Sequence, residues 1–374
     1  MFNQSSFNNQ LSIFQKIMNF DYILLLCILL LGIISGLSMY STDGGEFLYH
    51  SKSHISKFLF FFPMMIILSF FDIRFWHKIG YVFYIVVLFF LIWASLYGVK
   101  ASGSQRWVDL YFLNLQPSEL MKIAIIVFFS KYYHRIQLDK INSFQSIVTS
   151  LTVLILPIML VISQPDLGTS ILIALSGLVV LWLAGLNIKY FLYSFLILLI
   201  SMPFAISFLK TYQKMRILTF LNPERDPLGA GYQIIQSKIA VGSGGFSGKG
   251  FLKGTQSYLE FLPEKHTDFI FTLFSEEYGF VGSVALLLIY VVIIFRILKI
   301  GSNSRSYFAK LYCFGFGASI FFYVSVNMSM VLGLLPIVGS PLPIMSYGGS
   351  SMLATMIGFS IVMSAKINQQ QVIS

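Results

Sequence analysis

Long apolar stretches alternate with short polar segments along most of this 374-residue chain. Because a helix needs about 20 apolar residues to cross the hydrocarbon core of a bilayer, each stretch predicts a membrane-spanning helix. The predicted spans are residues 20–41, 57–72, 78–97, 117–135, 147–163, 169–186, 190–209, 268–295, 310–333 and 343–365. Repeated short segments of alternating polarity, the pattern of a transmembrane β-barrel, are not found. The pattern predicts an all-α polytopic membrane protein of about ten spans, with residues 1–374 forming one transmembrane domain.

The composition supports this class, because 56% of the residues are hydrophobic and only 11% are charged. Such a chain is too apolar for an ordinary soluble domain. The net charge is +10, and Lys and Arg are concentrated in the short segments on the same side as the N-terminus. Cytoplasmic loops carry such an excess. We therefore expect both termini in the cytoplasm and no nucleic-acid partner.

One long segment, residues 210–267, interrupts the alternation between the seventh and eighth spans, and the topology places it outside the cytoplasm. Within it, residues 231–241 space their apolar side chains helically, which predicts a short amphipathic helix on the membrane surface. The glycine-rich residues 242–250 resemble a phosphate-binding loop but lack its first glycine and the Ser or Thr that should follow Lys249. We favour a mobile loop that gates a cavity.

The densest polar cluster of the chain leads into the eighth span. It consists of Glu260, Glu264, Lys265, His266, Thr267 and Asp268. Asp268 begins the span and should therefore lie at headgroup depth, where a carboxylate can accept a proton from a lipid-linked substrate. The alternative is that Asp268 only caps the helix, a task that Thr267 could perform equally well.

Two charged residues, Glu119 and Lys122, lie inside the fourth predicted span. Charges within spans are costly and usually functional. The two residues are three positions apart and so share a helix face. Either a structural ion pair or a functional pair fits this spacing. Upstream, Arg106 supplies a cation, and Trp107 supplies an aromatic ring of the kind that lies at membrane interfaces.

Two further segments break the apolar pattern. Asp166, in the Gln164–Thr169 segment, could cap the sixth span or take part in a site. Residues 335–351 contain three prolines and several glycines, and this segment includes Ser346 and Gly348. Such irregular backbone at membrane depth must be buried in protein or line a wet cavity. We therefore expect a cavity there.

These segments form a series of motifs that strongly resembles the SEDS family (shape, elongation, division and sporulation) from the first span to the last. The motifs are Gly103-x-x-Arg-Trp107, Gln116-Pro-Ser-Glu119 with Lys122, Gln164-Pro-Asp-Leu-Gly-Thr169, Asn222-Pro-x-x-Asp-Pro-x-Gly229, Leu262-Pro-Glu-Lys-His-Thr-Asp-Phe269 and Pro343-x-x-Ser-Tyr-Gly-Gly-Ser350. Within the family, residues 337–343 and the short C-terminal tail are more similar to the rod-shape branch than to the division branch.

The resemblance implies a peptidoglycan glycosyltransferase of the bacterial inner membrane that acts in cell elongation and rod shape. Its implied substrate is lipid II, polymerised with inversion as undecaprenyl pyrophosphate departs. The implied partners are a class B penicillin-binding protein and other membrane proteins of the elongation complex. By the same resemblance, Asp268 is the catalytic residue, and Glu119 and Lys122 line the central cavity.

The residues suit that chemistry, since a carboxylate can take the proton of an acceptor hydroxyl while cations stabilise the departing pyrophosphate. A divalent cation, Mg²⁺ or Mn²⁺, would serve the same purpose. The predicted substrate contacts are Glu119, Lys122, Arg106, Trp107, Asp166, Lys214, Arg216, Glu264, Lys265, His266, Ser346 and Gly348. The alternative function is a lipid II flippase. The lack of internal repeats and the location of the polar residues on one membrane side weigh against it.

Overall fold

The computed structural model describes residues 12–101, 104–109, 114–208, 211–225, 230–255 and 264–373. Helices dominate this part of the chain. They are α1 (Ile13–Met18), α2 (Tyr22–Thr42), α3 (Tyr49–Ser69), α4 (Ile73–Tyr97), α5 (Pro117–Arg135), α6 (Phe144–Ser163), α7 (Leu167–Leu183), α8 (Ile188–Phe208), α9 (Thr211–Leu221), α10 (Ala230–Ser243), α11 (Ile270–Asn303), α12 (Tyr307–Val331) and α13 (Gly349–Ile367). Two short 3₁₀ turns, Leu138–Lys140 and Pro223–Arg225, join neighbouring helices.

Every predicted span coincides with one of these helices, and six of the helices are long and apolar enough to cross a membrane. These six are α2, α4, α6, α11, α12 and α13. The chain is thus a mostly helical, multi-pass membrane protein, while the count of ten spans stays a prediction. Some of the other helices are not long and apolar enough for simple reasons. Helix α5 carries several charged side chains, and α7 has only 17 residues.

Helix α5 lies at the centre of the bundle and packs against α4, α7, α12 and α13. Fifteen of its side chains are buried, on all of its faces. Around this centre, α3 packs against α13 and α2 against α11. A helix that is enclosed by other helices can hold charged groups away from lipid, which explains how α5 carries Glu119 and Lys122.

A small antiparallel sheet, which the all-α prediction did not include, joins α4 to α5. Its strands β1 (Val99–Ala101), β2 (Ser104–Asp109) and β3 (Asn114–Leu115) pair in the order β1-β2-β3. Val99 lies opposite Trp107 in the ladder. The strands are too short to show a period-two pattern in the sequence, so pattern analysis cannot detect them.

The predicted amphipathic helix is present as part of α10, but it packs against α11. Ile234, Ser237 and Ala240 are buried in that contact. A protein surface covers this face of the helix, which explains Ile234 by packing within the bundle, while Ile239 is 47% exposed.

The glycine-rich stretch after α10 is packed tightly, contrary to the expected mobile gate. It lies against a kink in α11 at Gly279, whose φ of 64° is not helical. There the carbonyls of Glu276 and Glu277 accept hydrogen bonds from the backbone N–H groups of residues 249 and 250, and the N–H groups of residues 280 and 281 donate to the carbonyls of residues 245 and 246. The loop therefore pairs the backbone groups that the kink removes from the helix, which buried backbone requires.

Side chains reinforce this contact. The Oε1 atom of Glu276 accepts hydrogen bonds from Lys249 Nζ at 2.6 Å and from the backbone N–H of Thr255 at 2.9 Å. Glu277 Oε1 accepts from the backbone N–H of Leu252 at 3.1 Å and from the hydroxyl of Ser41. We call residues 244–255 the docked loop.

Candidate active site

Asp268 lies in the turn that immediately precedes α11, one residue before the N-cap position of that helix. The N-cap residue is Phe269, whose side chain makes no capping hydrogen bond. Thr267, the other capping candidate, donates its hydroxyl to Glu264 Oε2 at 2.8 Å. Neither Asp268 nor Thr267 occupies the N-cap position of α11.

The Pro/Gly-rich segment between α12 and α13 packs against this turn. Ser346 Oγ donates to the carbonyl of Thr267 and accepts from the backbone N–H of Leu342, both at 2.7 Å. The backbone N–H of Tyr347 donates to the carbonyl of His266 at 2.8 Å. Ser346, which was predicted to contact substrate, thus fixes the position of the turn in this structure.

Two glycines of the same segment, Gly339 and Gly348, occupy different positions in the structure. Gly339, with φ of +71°, would bring a Cβ atom to 3.5 Å from Asp268 Oδ2. A larger side chain there would lie directly against the carboxylate. Gly348, a predicted substrate contact, is the N-cap residue of α13.

Glu119 and Lys122 form a buried ion pair on α5, with 2.7 Å between Lys122 Nζ and Glu119 Oε1. Their side chains are 4% and 1% exposed. Tyr323 of α12 completes the cluster, since its hydroxyl donates to Glu119 Oε2 at 3.0 Å and its ring centroid lies 4.1 Å from Lys122 Nζ. Tyr323 was not predicted as a site residue, because one tyrosine in an aromatic-rich chain gives no signal.

Helix α12 links this ion pair to Asp268. Asn327 lies four residues after Tyr323, hence on the same face and about 6 Å further along the helix axis. Its Nδ2 atom donates to the backbone carbonyl of Asp268 at 2.9 Å and to that of Ser340 at 2.7 Å. One helical turn of α12 therefore contacts both Asp268, through Asn327, and the Glu119–Lys122 pair, through Tyr323.

Unpaired polar atoms lie beside this turn. Asn327 Oδ1 and Ser340 Oγ are buried and have no hydrogen-bond partner among the described residues. Buried polar atoms in native proteins are nearly always paired, so these two atoms are able to hydrogen-bond a polar group beside this turn. The sequence carries a signal for Asn327, which is a lone amide within an apolar span.

Arg106 and Asp166, which belong to two further motifs, form an ion pair with 3.4 Å between Arg106 Nη1 and Asp166 Oδ2. Arg106 also donates to the backbone carbonyls of Gln164 and Pro165, at 2.9 and 2.6 Å. Asp166 Oδ1 accepts from the backbone N–H of Thr169, so Asp166 does cap α7. Trp107, half-buried, lies on β2 beside Arg106.

The remaining predicted site residues are dispersed. Lys265 is buried and Glu264 is exposed in the turn before α11, and Lys214 is half-buried on α9. The Arg216 side chain and Glu260 lie outside the described residues. Lys249, in the docked loop, forms an ion pair with Glu276 of α11.

His266 contacts α2 and α3. Its Nδ1 atom is 3.0 Å from Thr42 Oγ1, and its ring stacks on that of His50. Burial, the neighbouring His50 and then Lys265 lower the pKa of His266 to about 4, so its imidazole is neutral at pH 7.

Comparison with known proteins agrees with the motifs. The model of the FtsW, RodA and SpoVE family of cell cycle proteins matches residues 16–371. The chain belongs to this family. The resemblance inferred from the motifs is thereby confirmed.

Among its relatives in this family, the chain is 41% identical to peptidoglycan glycosyltransferase MrdB of Escherichia coli K12, over 92% of each protein. It is 36% identical to probable peptidoglycan glycosyltransferase FtsW of Buchnera aphidicola subsp. Schizaphis graminum, over 85% of this chain and 92% of that protein. Both names carry the activity that the motifs predict.

Solved structures of the family share the fold. A chain from a structure described as structural coordination of polymerization and crosslinking by a peptidoglycan synthase complex matches with a TM-score of 0.80 and 28% identity, over 94% of this chain and 99% of that one. The rod-shape-determining protein RodA of Thermus thermophilus matches with a TM-score of 0.69 and 22% identity, over 94% of this chain and 98% of that one. The RodA likeness supports the fold.

Proposed function

We propose that this protein is a peptidoglycan glycosyltransferase that polymerises lipid II, with Asp268 as its catalytic base. The observation that carries the proposal is that one turn of α12 contacts both groups: Asn327 donates to the backbone carbonyl of Asp268, and Tyr323 donates to Glu119 of the buried Glu119–Lys122 pair. The names of the relatives support the same activity.

In the proposed reaction, Asp268 accepts the proton of the acceptor sugar's 4-hydroxyl as that oxygen attacks the anomeric carbon of the donor. The bond from this carbon to the pyrophosphate breaks in the same displacement, so the anomeric centre inverts and undecaprenyl pyrophosphate leaves. General-base assistance of this kind contributes about 10²–10⁴-fold in rate. Lys265, Lys214 and Arg216 are the proposed cations for the pyrophosphate.

The proposal includes a divalent cation, Mg²⁺ or Mn²⁺, whose chemistry would be to neutralise charge on the pyrophosphate. Mg²⁺ prefers oxygen ligands. The one group of three closely spaced His, Cys, Asp or Glu side chains in the described residues contains two histidines, so it does not suit Mg²⁺.

The proposed setting is the bacterial inner membrane, with ten spans, both termini in the cytoplasm and residues 210–267 outside. The proposed partners are a class B penicillin-binding protein and other membrane proteins of cell elongation. The likeness to a chain of a peptidoglycan synthase complex supports a partner of this kind, and the distribution of Lys and Arg supports the orientation.

Purified protein incubated with labelled lipid II tests the activity, alone and with a penicillin-binding protein. Wild-type protein should form glycan ladders. Asp268→Asn should fold and form the complex but lose polymerisation by about 10²-fold or more, because the amide cannot accept the proton. Glu264→Gln is the matched control, since Glu264 is exposed in the same turn, and it should retain most of the activity.

An Asp268→Asn protein that polymerises at the wild-type rate would remove Asp268 from the mechanism. If the wild-type protein moved lipid II across vesicle membranes without forming ladders, the flippase alternative would replace the proposal.

A further inference from the structure

Three side chains from separate segments meet beside the turn that carries Asp268. Asp43 ends α2, His50 lies in the first turn of α3, and His266 lies in the turn before α11. Each offers one ligand atom, and these atoms all lie within 4.8 Å of one another. We propose that Asp43, His50 and His266 form a binding site for a divalent transition-metal ion of the zinc class.

Hydrogen bonding assigns the tautomer of His266 that a metal ion needs. Thr42 Oγ1 donates its one hydrogen to the carbonyl of Met39 at 2.7 Å. With that hydrogen engaged, the hydroxyl oxygen is available to accept from His266 Nδ1–H, 3.0 Å away. The lone pair then lies on His266 Nε2. Metal-ligating histidines are commonly fixed in this way, by donating the other ring N–H to a neighbouring oxygen.

Asp43 is oriented by a comparable contact. Its Oδ2 atom accepts from the backbone N–H of Ser51 at 2.9 Å, which directs Oδ1 toward His50 Nδ1, 3.4 Å away. The Asp43 side chain is only 3% exposed. A carboxylate held this way is a preformed ligand.

His50 supplies the movable ligand. Its side chain is 40% exposed, so an ion can reach the cluster from solvent past this residue. Its ring lies parallel to that of His266, with 3.9 Å between centroids and 14° between planes, and Tyr347 packs edge-on against it. Tetrahedral zinc places its ligand atoms roughly 3.3 Å apart, from metal–ligand distances of about 2.0–2.2 Å. To bind together with His266, the His50 ring must rotate out of this parallel stack so that the nitrogen lone pairs of the two rings, which lie in the ring planes, converge on one ion.

The ligand types select the class of ion. Imidazole nitrogens suit zinc and its neighbours in the transition series, whereas Mg²⁺ and Ca²⁺ prefer oxygen. Two histidines and one carboxylate leave a fourth position for water. Bound at this place, the ion would tie the α2–α3 connection to the turn two residues before Asp268. This role is independent of the proposed glycosyl transfer.

Zinc binding to the full chain tests the site. The protein, purified without a histidine tag and stripped with a chelator, is titrated with Zn²⁺ in competition with a chromogenic chelator. Wild-type protein should bind one equivalent that millimolar Mg²⁺ does not displace, and Co²⁺ should give the absorption bands of tetrahedral coordination. Zn²⁺ should also raise the melting temperature.

Matched variants locate the binding. His50→Gln should weaken Zn²⁺ affinity by more than about 10-fold, since loss of even an outer partner of a ligand costs about 10–100-fold. Asp43→Asn, which keeps an oxygen for the Ser51 N–H, should weaken it as well. His134→Gln is the control: His134 lies on α5, where its Nε2 atom meets the carbonyl of Ile373, and its loss should leave affinity unchanged. Lack of stoichiometric binding, or equal affinity in wild type and His50→Gln, would show that the histidines are a stacked pair only.

Discussion

Removing one charge of the Glu119–Lys122 pair should destabilise the protein far more than removing both. In Lys122→Met, Glu119 keeps its charge and the Tyr323 hydrogen bond but loses the ammonium group 2.7 Å away. Both side chains are nearly fully buried, and an uncompensated buried charge costs about 3–5 kcal/mol. At about 1.4 kcal/mol per factor of ten, this lowers the ratio of folded to unfolded protein by roughly 10²–10⁴-fold.

The double variant Glu119→Gln with Lys122→Met separates the cost of the lone charge from the loss of contacts. Gln at position 119 keeps an oxygen for the Tyr323 hydroxyl, and Met fills much of the lysine volume. We expect most of the stability to return, because replacing a buried ion pair by neutral groups is often neutral. Tyr323→Phe is the matched control and should cost about 1.5–3 kcal/mol, the value of a hydrogen bond to a charged group.

Thermal unfolding in detergent measures the stabilities, and lipid II polymerisation measures the function. If the pair also serves the reaction, the double variant will be stable but inactive. Recovery of both stability and activity would show that the pair is structural only. A Lys122→Met protein as stable as the wild type would refute the reasoning, since it would mean that Glu119 is solvated or protonated without its partner.

Three further predictions concern the docked loop, α12 and the topology. Gly248→Ala should lower the melting temperature, because its φ is +80° and an added Cβ would clash with the carbonyl of Glu277, whereas Gly242→Ala, with open space around it, should not. Asn327→Leu should reduce the polymerisation rate by about 10²-fold, the cost of misplacing a catalytic group by about 1 Å, and its folding is checked by gel filtration. Cysteine at Ser247 should react with an impermeant reagent in intact cells and cysteine at Ser302 should not; equal labelling would contradict the orientation.

The helices of the bundle could be predicted from the sequence because apolar runs of span length have few alternatives in water or lipid. Asp268, Glu119 and Lys122 were found for a related reason, since charge within or beside an apolar run is costly and therefore noticeable. The structure adds how they are held together. Tyr323 and Asn327 act through long-range contacts that no local pattern encodes.

Other features depend on tertiary contacts in the same way. Residues 242–250 show a composition typical of flexible loops, yet two of their glycines, Gly244 and Gly248, lie so close to α11 that an added Cβ would meet its backbone. The strands β1 to β3 depend on pairing with each other and are too short for a periodic signal. The docked loop and the small sheet were therefore beyond prediction from local sequence.

The broken backbone of α11 at Gly279 couples the folding of this helix to that of the docked loop. The carbonyls of Glu276 and Glu277 and the N–H groups of Phe280 and Val281 pair with backbone groups of the docked loop, which precedes α11 in the chain. Without the loop against it, the kinked part of α11 would leave peptide groups unpaired, which disfavours its burial. Burial of this part of α11 is thus coupled to docking of the loop, and amide exchange at Phe280 and Val281 would report when docking is complete.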